Sequence, residues 1–123
     1  MALVTPHMLI VDDTFLDHLV ASRVLKNFYF SVTIVVSPMQ ALEFLDAEHD
    51  VNLILTNYCM PDMTGYDLLM EVKESPRLNH ILVVIMSSDD ISERKKKCLD
   101  ARAKDYIIKP LSVVDVPHIL SYI

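Results

Sequence analysis

Two hydrophobic periods take turns along this chain. Five short runs, residues 7–11, 32–36, 51–56, 81–86 and 105–108, are almost wholly apolar. Runs of that length and composition predict strands buried on both faces. Between them the apolar positions recur every three or four residues. Leu16, Leu19, Val20 and Val24 predict a helix over about 14–27, capped by Asp13 or Thr14. Ser37-Pro38 reads as N-cap and first helical residue of a segment running through Leu42 and Leu45. A third helix is expected over about 64–74, with Tyr66, Leu69 and Val72 near one face, ending before Ser75-Pro76. A fourth covers about 91–101. The last covers about 115–123, with Asp115 as cap and Pro117 in the first turn.

Strand and helix alternate five times. That order implies a parallel sheet covered on both faces by right-handed crossovers. The expected fold is a five-stranded, doubly wound, flavodoxin-like (βα)5 domain spanning residues 1–123. Strand order is not readable from periodicity.

Composition narrows the classes. The 123 residues are 52% hydrophobic, too apolar for a disordered chain. No apolar run approaches the ~20 residues of a membrane span, and residues 1–7 carry no secretory pattern. A net charge of −6 argues against nucleic acid as a direct partner. Cys59 and Cys98 fit neither a disulfide framework nor a CxxC site, so inert thiols in a reducing compartment are expected. His7, His18, His49, His80 and His118 show no ligand spacing. The basic run at 94–97 reads as a solvated helix face, and Met60 and Met63 as loop packing. The expected state is a monomer.

In a doubly wound sheet the strand ends meet at one edge, where such folds place their sites. Here the ends are Asp12-Asp13, Asn57, Ser87-Ser88 and Lys109. Carboxylates and carbonyls are hard oxygen ligands suited to Mg²⁺. An ammonium and a hydroxyl can hold two oxygens of a phosphoryl group. This is the skeleton of a phosphoryl-transfer site, without its nucleophile. The Asn57 amide is uncharged and its nitrogen lone pair is delocalised, so it cannot form the acyl phosphate that an aspartate forms. It would also bind Mg²⁺ more weakly.

These residues, in this order and with Met60-Pro61, Thr64 and Gly65, resemble the receiver domain of response regulators in two-component phosphorelays. The resemblance covers essentially the whole chain. The wording around Asn57, Ser87 and Lys109-Pro110 is similar to plant cytokinin-pathway regulators, whose short type-A members are little beyond a receiver. The resemblance implies that Asp12, Asp13 and the Cys59 backbone carbonyl would hold Mg²⁺, weakened here by Asn57. It implies that Lys109, before a cis Pro110, contacts the phosphoryl group, and that Ser87 and Tyr106 form the switch. The first helix and the site loops would dock a histidine-phosphotransfer protein. The surface of the fourth helix, fifth strand and fifth helix would be the output face, and the setting nuclear or cytoplasmic.

The departures shape the expectation. Asn57 stands at the phosphoacceptor position, making the chain a pseudo-receiver. Without a phosphoryl group nothing is expected to draw Ser87 and Tyr106 inward. Arg102 replaces the glycine usual before the fifth strand, the turn after the first helix has none either, and Gly65 is the only glycine in the chain. Those turns are expected to manage without positive-φ freedom. The leading reading is a non-accepting competitor for a histidine-phosphotransfer protein, and not an enzyme. The alternatives are an ordinary acceptor carrying an engineered Asp-to-Asn change, and an interaction module indifferent to phosphorylation. A haloacid-dehalogenase-like phosphatase fits poorly, because Asp12-Asp13-Thr14-Phe15 lacks the Asp-x-Asp-x-Thr spacing.

Overall fold

The computed structural model describes residues 6–26, 30–47 and 50–123. Its elements alternate as expected: β1 (His7–Val11), α1 (Phe15–Lys26), β2 (Ser31–Val35), α2 (Pro38–Ala47), β3 (Leu53–Asn57), α3 (Gly65–Glu74), β4 (Leu82–Ser87), α4 (Ser92–Asp100), β5 (Asp105–Ile108) and α5 (Val116–Tyr122). The expected end of the first helix, Asn27, lies outside the described residues, as does the glycine-free turn after it.

The five strands form one all-parallel sheet in the order β2-β1-β3-β4-β5. β3 is central, paired with β1 on one side and β4 on the other. The near-continuous apolar character of these strands follows from burial on both faces. Alternate residues feed two separate cores. Leu9, Ile54, Val83 and Ile85 pack beneath α2, α3 and α4 with Ala41, Leu45, Leu68, Leu69, Val72 and Cys98. Met8, Ile10, Leu53, Leu55 and Val84 pack beneath α1 and α5 with Ala21, Leu25, Val116 and Ile119. Fully burying one such side chain is worth roughly 1.5–3 kcal/mol.

Local chemistry sets the helix ends. Ser37 Oγ accepts from the Gln40 N–H at 3.1 Å as α2 begins. α3 opens on a capping box, with Thr64 Oγ1 accepting from Asp67 N at 3.1 Å and Asp67 Oδ2 accepting from Thr64 N at 3.0 Å. Asp115 stands before α5 but does not cap it. Its carboxylate turns back to accept from the Ser112 N–H at 2.9 Å and Ser112 Oγ at 3.3 Å.

The glycine expectation is corrected at Arg102. This residue sits at φ 76°, so the turn after α4 keeps its left-handed residue with an arginine in it. The Arg102 N–H donates to Leu99 at 3.0 Å and the Ala103 N–H to Cys98 at 2.9 Å, closing a Schellman motif. A left-handed non-glycine residue costs roughly 1–2 kcal/mol, and the motif's backbone bonds offset part of that. Arg102 Nη2 also donates to the Lys73 carbonyl at 3.1 Å. Gly65 is required for a different reason: closeness. Its φ is not positive. A Cβ there would be driven into the Asn57 carbonyl, with the carbonyl carbon 3.1 Å away.

Candidate functional site

Asp12 follows β1 directly and is fully buried. Its Oδ1 accepts from the Thr14 N–H at 2.9 Å, holding the turn into α1. Asn57 closes β3, only 6% exposed, and pairs in register with Met86. Ser87 closes β4, and Lys109 follows β5, bonded through its backbone N–H to the Ser87 carbonyl at 2.8 Å. The Lys109–Pro110 peptide is cis. The strand ends therefore meet at one edge. Asn57, Ser87 and Lys109 line a crevice of about 220 Å³ with Asp13, Asp17 and Cys59, while Asp12 lies buried behind Lys109.

Lys109 is the cation of this crevice. Its Nζ lies 2.8 Å from Asp17 Oδ2 and 2.9 Å from Asp12 Oδ2. The second contact has the distance of an ion pair without hydrogen-bond geometry, so Asp12 Oδ2 is buried and balanced by charge alone. Burial pushes the Lys109 ammonium towards losing its proton, but Asp17 and Asp12 outweigh it and its pKa rises. Asp17 was missed by sequence reading. It lies in the first turn of α1, and only the packing of that helix against Lys109 brings it to the crevice.

Asn57 is knotted to its surroundings. Its Nδ2 donates to the Cys59 carbonyl at 2.8 Å and to Asp13 Oδ1 at 3.2 Å. These acceptors are two of the oxygens expected to hold Mg²⁺. As arranged, the residues do not fit a divalent cation, because an N–H donor stands between the oxygens that would coordinate it. Among the described residues, no three His, Cys, Asp or Glu side chains are placed to hold a metal ion.

The other wall is built around Arg94, which was expected on a solvated face. Instead its side chain is only 21% exposed and turns into the crevice wall. Its Nη1 lies 3.5 Å from Ser87 Oγ, 3.8 Å from Cys59 Sγ and 3.7 Å from Asp89 Oδ2. Its guanidinium stacks 4.2 Å from the centre of the Tyr58 ring. Lys97 lies over the Tyr66 ring at 4.0 Å and Lys96 pairs with Asp100 at 2.7 Å, so three of the four residues in the basic run are occupied. Arg94 precedes buried Cys98 by four residues, which puts both on the inner face of α4.

Tyr106 corrects a second expectation. It is already inside, 5% exposed, with its hydroxyl donating to the Asp89 carbonyl at 3.3 Å. A larger groove, about 580 Å³, runs between α3 and α4. Its lysines are already engaged: Lys73 on the Asn79 and Ile81 carbonyls, Lys96 on Asp100 and Lys97 on Tyr66.

Comparison with known proteins agrees with this geometry. The family model of the response regulator receiver domain matches residues 8–121. The chain belongs to the response-regulator receiver family. Among related receivers, two-component response regulator ORR12 of Oryza sativa subsp. japonica is 63% identical, over 97% of this chain and 98% of its own length. ORR5 of the same rice is 48% identical over 94% and 87%. The receiver fold is shared with a response regulator receiver protein from Pseudomonas putida, at TM-score 0.88 and 19% identity over 99% of this chain and all of that one. Chemotaxis response regulator CheY4 of Vibrio cholerae superposes at TM-score 0.85 with 18% identity, over 97% and 98%. Receivers of this family are signalling proteins of two-component phosphorelays, which work through phosphotransfer partners.

Proposed function

We propose that this receiver docks a histidine-phosphotransfer protein without accepting its phosphoryl group, and so competes with accepting receivers in a cytokinin-type relay of the nucleus or cytoplasm. One observation carries the reading: Asn57 occupies the end of β3 inside an otherwise complete receiver frame. The frame supplies Asp12, Asp13, Ser87 and Lys109 around it. An amide there has no nucleophilic oxygen anion to attack phosphorus. The docking half rests on the rim of the crevice. Phe15, Leu16, Met39, Val113 and Val114 are exposed on segments that follow the carboxyl ends of strands. Apolar side chains around an acidic crevice suit a partner that presents a cationic or imidazole group within an apolar patch.

The test is a titration against a plant histidine-phosphotransfer protein, phosphorylated and not, with Asn57→Asp alongside. Comparable binding by both, with phosphoryl transfer only to Asn57→Asp, is the expected result. Absence of binding, or label appearing on the unaltered chain, sinks the reading.

A second reading has its own observation. Tyr106 sits inside, its hydroxyl donating to the Asp89 carbonyl at 3.3 Å. An output face formed by α4, β5 and α5 would then act independently of phosphorylation. Loss of a partner on mutating that face, with Asp12 and Asp13 changes silent, would favour it.

A further inference from the structure

We propose that the Asn57 side chain takes over the structural task of a divalent cation, tying Asp13 to the Cys59 carbonyl so that this site is held in shape without metal. A carboxamide carries two N–H donors on one nitrogen, and Nδ2 here faces two acceptors, at 3.2 and 2.8 Å. The opposite amide orientation would set Oδ1 against two oxygens, so the network fixes which atom faces them.

Charge points the same way. Asp12 and Asp17 pair with one ammonium, Lys109, and Asp13 lines the same crevice, which leaves two net negative charges among these four groups. A carboxylate at position 57 would add a third at hydrogen-bond distance from Asp13, and only a cation could relieve that repulsion. The neutral amide removes the added charge and satisfies both oxygens at once. The turn from Cys59 towards α3 is thus set by hydrogen bonds within the chain. This does not depend on the docking reading, because metal response is a property of the chain alone.

The experiment compares the full chain and Asn57→Asp in EDTA and in millimolar MgCl₂. It follows thermal unfolding and the Asn57 side-chain amide resonances. The unaltered chain should show the same Tm in both buffers, with slowly exchanging amide protons that do not move with Mg²⁺. Asn57→Asp should melt lower in EDTA and recover with Mg²⁺, with an apparent affinity at least about tenfold above that of the unaltered chain. A Mg²⁺-dependent Tm rise in the unaltered chain equal to the variant's overturns the proposal. If Asn57→Asp does not fold, the unaltered amide decides alone: constancy supports the proposal, and saturable movement with Mg²⁺ defeats it.

Discussion

On the acid side of the crevice, Lys109 lies 2.8 and 2.9 Å from Asp17 and Asp12, and Asn57 donates at 2.8 and 3.2 Å. On the switch side, Tyr106 reaches the Asp89 carbonyl at 3.3 Å, while Arg94 reaches Ser87 at 3.5 Å and Asp89 at 3.7 Å. The first set is shorter and centres on the buried pair of Lys109 and Asp12, with Asp17 and Asp13 at its open side. The second is longer and partly open to water, where such contacts are worth little each. One wall is therefore fixed by groups that cannot be separated cheaply, and the other by a single arginine whose contacts can be exchanged. The chemistry of this receiver lies in the rigid wall, and its adaptability in the other.

The strongest way to break that contrast is at Lys109. Lys109→Met strands the Asp12 carboxylate in a buried place without its cation and should cost about 3 kcal/mol, read from urea unfolding. Adding Asp12→Asn should restore most of the loss, because the uncompensated charge disappears. The pH dependence has a definite sign. The Lys109 pKa is raised above its ordinary 10.5, so its contribution is complete below pH 10.5 and fades as pH climbs through the raised value. The stability gap between the unaltered chain and Lys109→Met should narrow over that alkaline range.

A smaller effect is expected on the other wall. Arg94→Ala should lower stability by only about 1 kcal/mol, the scale of a partly exposed cation–π contact. Its local consequence should be larger: Tyr106 gains solvent exposure, seen by fluorotyrosine NMR, while the Asn57 amide resonances stay put. A Tyr106 environment indifferent to Arg94→Ala would show that this wall is rigid too. The smallest change lies outside both walls. Arg102→Gly relieves roughly 1–2 kcal/mol of left-handed strain and gives back roughly 0.5–1 kcal/mol of backbone entropy. A net gain of about 0.5 kcal/mol is expected, with no effect on Tyr106 or Asn57, checked by the same unfolding and NMR measurements.

What was legible in the sequence follows from what periodicity reports. A buried parallel strand needs an apolar run and an amphipathic helix needs a stripe, so all ten elements could be placed, and Asn57, Ser87 and Lys109 fell at strand ends. Strand order was not legible, since it depends on which strands pair. Side-chain reach was not legible either. Arg94 belongs to a basic run, yet its long stem lets the guanidinium bend under Tyr58 while Lys95 and Lys96 stay in water. Asp17 appears only when α1 is placed against Lys109. The inward Tyr106 depends on a hydroxyl meeting one backbone carbonyl, which no pattern encodes. At Arg102, composition pointed to a turn without positive φ, but the Schellman bonds imposed that conformation on an arginine.

The central place of β3 has a consequence for heredity. Ladders on both sides fix the backbone that carries residue 57, and aspartate and asparagine have side chains of the same shape. Their codons differ at one base. Under the proposed function, a single nucleotide separates a receiver that takes a phosphoryl group from one that does not, and the ladders on either side of β3 hold position 57 in place.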